Sequence, residues 1–179
     1  MDETRIWKKT ISPEQAHVKI RHYCAFQERA HQEVKMKLST YGLSWSDANQ
    51  IISKLIEDGF LNEERFAKAF VGGKFRIKGW GRKKIEMELK KRQVSEYSIK
   101  KALREEIDMD AYGASLLKQL EKKWTSLKGP GNTIYVKQSK TRQYLLTRGF
   151  ENNMISNAMK LFYGKTDDHN DTDQPALGK

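Results

Sequence analysis

Twelve lysines and arginines stand between Lys74 and Arg104, against three acids. The bases are Lys74, Arg76, Lys78, Arg82, Lys83, Lys84, Lys90, Lys91, Arg92, Lys100, Lys101 and Arg104; the acids are Glu86, Glu88 and Glu96. This stretch therefore carries +9 of the chain's net +11. A solvated helix face ordinarily mixes signs, so a run of one sign is the footprint of an anionic partner. Phe75, Gly79, Trp80 and Gly81 are interleaved with it. Glycines let backbone N–H groups approach phosphates, and Trp80 can stack on an unpaired base, although interior packing is the simpler role for a tryptophan. The candidate contact residues are Lys74, Arg76, Lys78, Trp80, Arg82, Lys83, Lys84, Lys90, Lys91 and Arg92. They suit nucleic acid or an acidic protein groove, and charge alone does not separate the two.

Residue patterns for covalent chemistry are missing. Gly79-Trp80-Gly81 and Gly129-Pro130-Gly131 lack the Gly-Lys-Ser/Thr that completes a phosphate-binding loop. His17, His22 and His31 lie near Cys24, but no pair of these histidines has the i, i+4 spacing of a helical zinc motif. Glu63-Glu64 reads as a first-turn pair favoured by the helix dipole, and Glu57-Asp58 as solvated acids at a helix end. No Ser-His-Asp or Cys-His pairing stands out. The expectation is a protein that acts by binding, with no metal, no cofactor and no catalytic residue.

The elements that must position the basic residues read as helices in a repeat. An apolar rhythm around a turn occurs three times: Val34, Leu38, Leu43, Ala48, Ile52; then Ile85, Leu89, Val94, Ile99, Leu103; then Thr141, Leu145, Phe150, Ile155, Met159. The offsets match in all three sets, and only Thr141 is not apolar. Such self-similarity indicates tandem modules. We expect an all-α fold of three tandem three-helix, helix-turn-helix-like repeats, elongated, with a lead-in at 1–11 and modules at 12–60, 61–106 and 107–163. An acidic tail at 164–179 has little to bury and is expected to be disordered.

Local signals set the helix ends. Ser12 and Asn62 are good N-caps, and glycines 42, 59 and 149 suit helix stops. Gly72-Gly73 is expected to end the first helix of the middle module, leaving Lys74–Gly81 as a basic connector. The inward stripes include Ile51, Ile52, Leu55 and Ile56 in the first module and Leu116, Leu117 and Leu120 in the third. Thr133–Val136 looks strand-like but fits a helix start as well.

The chain has 179 residues, 37% hydrophobic and 32% charged. That is enough apolar material to fold. The lone Cys24 reads as a buried thiol of an intracellular protein. No apolar run approaches a membrane span, and Met1-Asp2-Glu3-Thr4 lacks the build of a signal peptide. We expect a cytoplasmic monomer.

Two segments of the middle module resemble a known family. Asp58-Gly59-Phe60-Leu61-Asn62-Glu63-Glu64-Arg65-Phe66-Ala67-Lys68-Ala69-Phe70 is followed by Gly79-Trp80-Gly81-Arg82-Lys83-Lys84-Ile85-Glu86-Met87-Glu88-Leu89. Together these resemble the RecX family of bacterial regulatory proteins; Lys122-Lys123-Trp124 and Leu145–Phe150 look like its later landmarks. Where the family often has a turn glycine, this chain has Gln93. The resemblance implies tandem three-helix modules and a modulator that lies in the groove of the RecA–single-stranded-DNA filament. It implies suppression of strand exchange, ATP hydrolysis and coprotease activity, and so a place in DNA repair, recombination and the SOS response. An alternative is a helix-turn-helix regulator that reads duplex DNA; a metal-dependent nuclease is a third reading.

Overall fold

A computed structural model of the chain describes residues 10–167, and among these it has nine α-helices and no strand. They are α1 Pro13–Phe26, α2 His31–Ser39, α3 Trp45–Glu57, α4 Glu63–Arg76, α5 Arg82–Lys91, α6 Glu96–Glu106, α7 Met109–Ser126, α8 Ile134–Thr147 and α9 Asn152–Asp167. The all-α expectation holds, and Thr133–Val136 is a helix start: Thr133 caps α8, accepting from the Val136 N–H.

The described chain divides into two compact units. The first comprises 10–71 and 87–106, the second 72–86 and 107–167, so the divisions fall within α4 and within α5.

In the first unit, α1, α2 and α3 close around Ala16, Ile20, Val34, Leu38, Ile51 and Leu55. Cys24 is buried with them, and burial pushes its thiol pKa up. Ile56, expected to face inward, is exposed. The segment Asp58–Ala67 acts as a structural junction. Gly59 turns the chain with φ +73°, Leu61 is buried, and Asn62 caps α4 by accepting from the Arg65 N–H at 2.8 Å. Arg65 in turn donates to the Gly59 carbonyl and to Glu28. Glu63 holds the start of α6: its Oε1 accepts from the Ser95 N–H and from the hydroxyls of Ser95 and Ser98. Burial opposes its charge, but these hydrogen bonds outweigh burial and hold the carboxyl below its ordinary value.

Gly72-Gly73 does not end α4, which continues to Arg76. Glycine inside a helix costs about 1 kcal/mol relative to alanine. Here the next turn recovers it by burying Phe75 against Tyr112. Lys74 and Arg76 are thus helical residues, and the connector shortens to 77–81.

In the second unit a row of tilted aromatic contacts forms the core. Phe75 lies 6.0 Å from Tyr112, and Tyr112 lies 5.3 Å from Phe150, centroid to centroid. Ile85, Leu116, Leu120, Leu145 and Ile155 fill around them. Leu117, expected inward, is exposed. The helix α9 runs to Asp167, four residues into the segment expected to lack structure; the remainder of the tail lies outside the described residues.

Every member of the repeated apolar rhythm is buried or half-buried. The turn inside each set uses the left-handed region: Gly42 at φ +75°, Gln93 at +56°, Gly149 at +89°. Each of these N–H groups donates to the carbonyl three residues back, on Ser39, Lys90 and Leu146. Gln93 alone carries a Cβ there, a conformation that costs an L-residue about 1–2 kcal/mol. Gln93→Gly should therefore raise stability by roughly 1 kcal/mol after its own entropy loss, read as a higher midpoint in urea at an unchanged slope.

Thr141, the one polar member, is fully buried, and its hydroxyl has no hydrogen-bond partner. It stands where the other sets have Val34 and Ile85. Thr141→Val keeps the shape and removes a buried unpaired polar group, and should stabilise by about 1 kcal/mol. A thermal melt checks this.

Candidate nucleic-acid interface

The structure separates the basic residues by what holds them. Lys74, Arg76, Lys78, Trp80, Arg82, Lys83 and Lys84 fall in the second unit, whereas Lys90, Lys91 and Arg92 fall in the first.

In the first unit Arg21, Arg29, Lys35 and Lys37 lie over aromatic rings, whereas Arg65, Lys68 and several of the later cations meet carboxylates. Arg92 pairs with Glu88 at 2.9 Å and Glu33 at 3.3 Å while its guanidinium covers the Phe70 ring. Lys91 also reaches Glu88, Lys100 pairs with Glu96, Lys101 with Glu64, and Lys68 with Glu105. Such exposed pairs add little stability, but they cancel charge locally. Over its described residues this unit has fourteen Lys and Arg against twelve Asp and Glu, a net of only +2.

In the second unit Arg82, Lys84, Lys123, Lys137, Lys140, Arg142 and Arg148 meet neutral groups. Lys84 donates to the Thr147 carbonyl and lies 4.7 Å from the Trp80 ring, whose other neighbour is the Lys74 ammonium at 5.2 Å. Arg82 covers the Tyr112 ring at 4.6 Å and donates to the Met109 sulfur. Lys123 lies over Tyr144, Lys137 over Trp124, and Lys140 donates to Asn132. Arg142 donates to Asn152 and Ser156, and Arg148 to Tyr144 and Gln119. Lys78 and Lys83 are exposed. Residues 72–86 and 107–163 hold fifteen Lys and Arg against five Asp and Glu, a net of +10. Seven of these bases, Arg82, Lys84, Lys123, Lys137, Lys140, Arg142 and Arg148, are positioned by neutral groups and keep their charge for an outside partner.

Half of this charge escaped the sequence reading. Residues 107–163 carry nine bases and four acids, spread over three helices rather than packed in a run. A charge count for each module, instead of a search for dense clusters, would have found them.

Two proposed contributors have other work. Phe75 is buried against Tyr112. Nor does the Gly79-Trp80-Gly81 backbone face a phosphate. Its N–H groups donate to the carbonyls of Phe75, Lys74 and Arg148 at 3.0, 3.1 and 2.8 Å. The glycines serve close packing. A Cβ on Gly81 would lie 2.3 Å from the carbonyl carbon and oxygen of Gly149, and one on Gly149 would lie 2.3 Å from the Lys84 Cβ. The Lys83 N–H donates to the Gly149 carbonyl at 3.0 Å, which completes the seam. Trp80 is half-buried between its two lysines.

Tyr112 ties this seam to the core. Fully buried, it donates to Glu151 Oε2 at 2.6 Å and accepts from the Arg82 N–H at 3.0 Å. Burial and then the Glu151 bond push its phenol pKa far up, so it stays a donor. Among the described residues no cluster of His, Cys, Asp and Glu is placed to hold a metal ion, and no helix is long and apolar enough to cross a membrane.

Helices, turns and surface together define an all-α repeat protein with one strongly cationic unit. Comparison with known proteins makes the class specific. Residues 62–103 match the second three-helix domain of RecX, and residues 110–159 match the third. The chain is 32% identical over 127 residues to the regulatory protein RecX of Vibrio parahaemolyticus, covering 71% of this chain and 78% of that one. It is 28% identical to that of Vibrio campbellii over 84% of this chain and 91% of the relative. The crystal structure of RecX from Lactobacillus salivarius superposes with a TM-score of 0.70 at 25% identity, covering 83% of this chain and 94% of that one. The chain belongs to the RecX family of regulatory proteins.

Proposed function

We propose that this chain regulates RecA by binding the RecA–single-stranded-DNA filament, and that it inhibits RecA's recombinase, ATPase and coprotease activities in DNA repair and the SOS response. The observation that carries the reading is the net +10 of the second unit, seven of whose cations are held by neutral groups. A filament groove lined by phosphates attracts such a surface and releases counterions when it binds. Family membership supplies the regulatory role. The three modules act as linked weak binders, each raising the effective concentration of the next. The protein works as a cytoplasmic monomer without a cofactor, and it binds rather than transforms its target.

The test is RecA ATPase on single-stranded DNA with substoichiometric amounts of this protein. ATP hydrolysis should fall. An unchanged rate, together with no binding to the filament, overturns the reading; a raised rate reverses its sign and removes inhibition.

A further inference from the structure

Between α7 and α8 of the second unit lies an open groove lined by Lys123, Ser139, Lys140, Gln143, Tyr144 and Thr147. We infer that this groove is a separate binding site for the phosphodiester backbone of a single nucleic-acid strand. The inference rests on the reading that the protein binds nucleic acid, and it names a surface outside the Lys74–Arg92 cluster.

The lining has the chemistry of an acceptor-only ligand. Two ammonium groups, the Ser139 hydroxyl and the Gln143 amide supply donors, the Tyr144 and Thr147 hydroxyls donating instead to Gln119 and to the Gln143 carbonyl, and no carboxylate interrupts them. Phosphate oxygens offer acceptors and charge, which is the match such a lining requires. No aliphatic side chain lines the groove. A protein partner would ordinarily insert an apolar or aromatic anchor into a desolvated pocket, whereas this groove is open and the ring that lines it already lies beside Lys123 and Arg148.

The groove is also fixed in advance. Tyr144 donates to Gln119 Oε1 at 2.8 Å and accepts from Arg148 Nε at 3.0 Å. Arg148 donates to the same Gln119 oxygen at 3.0 Å, closing a three-residue ring of hydrogen bonds. The Tyr144 ring then carries Lys123 Nζ at 5.6 Å and the Arg148 guanidinium at 5.3 Å. Lys140 is braced by Asn132 Oδ1 at 2.9 Å. Ordering these long side chains before binding lowers the entropy cost of holding a ligand. At one end, the Thr147 carbonyl accepts from Lys84 Nζ at 3.3 Å. A strand in the groove therefore leads towards Lys84 and Trp80 and follows one cationic path.

The experiment measures binding of labelled poly-deoxythymidine to the full chain, alone and on RecA, against salt. Lys123→Ala/Lys140→Ala should flatten the log–log salt slope by about 1.4, at roughly 0.7 per phosphate contact on a single strand. If the lines meet near 1 M salt, affinity at about 0.1 M falls roughly 25-fold. Lys123→Arg/Lys140→Arg should restore most of the slope, since charge is what the site supplies. Circular dichroism melts confirm that each variant folds. Wild-type binding with an unaltered slope in the alanine variant overturns the groove and leaves the filament reading standing. Failure of the wild type to bind strand or filament overturns both. Retained strand binding with lost binding to DNA-free RecA overturns the nucleic-acid assignment and gives the groove to an acidic protein surface.

Discussion

Gly81→Ala should cost the second unit about 3 kcal/mol, near the upper end of the overpacking range. The added methyl would sit 2.3 Å from the Gly149 carbonyl, a backbone group with no rotamer in which to retreat. Relief requires the Gly81–Arg148 and Lys83–Gly149 hydrogen bonds to lengthen together. Phe150 and Tyr112, packed just beyond, would lose contact as the backbones part. The melting temperature should fall by roughly 10 °C or more, at about 4–8 °C per kcal/mol for a unit of this size. Gly73→Ala supplies the control. That glycine lies inside α4 with nothing within 4 Å of its would-be Cβ, so alanine should stabilise by up to about 1 kcal/mol. Equal losses at both positions would show that helix propensity and not the seam governs this region.

A second large effect is expected from four lysines of the second unit. Lys78, Lys83, Lys123 and Lys140, all changed to alanine, should flatten the salt slope for single-stranded DNA by about 2.8 and weaken binding at about 0.1 M salt by roughly 600-fold. The matched variant removes four lysines of the first unit, Lys68, Lys91, Lys100 and Lys101. The net charge change is identical, yet each of these is paired with a carboxylate, on Glu105, Glu88, Glu96 and Glu64. Removing it uncovers an acid without freeing a site that held phosphate, so the slope should hardly move. Equal slopes in the two variants would mean that total charge, rather than its placement, drives binding. The measurement is fluorescence anisotropy across a salt series.

The repeat was legible because its signals are local. Apolar side chains at helical spacing and a left-handed residue at each turn fix three equivalent helix pairs wherever the chain runs. Leu38, Leu89 and Leu145 are fully buried in turn, each before its own turn residue. Misreadings arose where tertiary contact overrides local preference. Gly72-Gly73 looked like a stop, but Phe75 gains a buried place against Tyr112 only if α4 continues. Ile56 and Leu117 fit apolar stripes but look out on solvent, because periodicity identifies a face and not its edges.

The candidate site divides in the same way. Residue types alone established that the chain is basic, helical and repeated, since composition and spacing are properties of the linear chain. Which cations remain available was decided by folding. Arg92 lies 59 positions from Glu33 and Lys101 lies 37 from Glu64, so no window of sequence reveals that they are neutralised. Gln119 and Lys123 on α7 likewise meet Tyr144 and Arg148 at the end of α8 only through packing, which closes them into one charged groove. Coulomb interactions depend on distance through space, and sequence separation does not measure it.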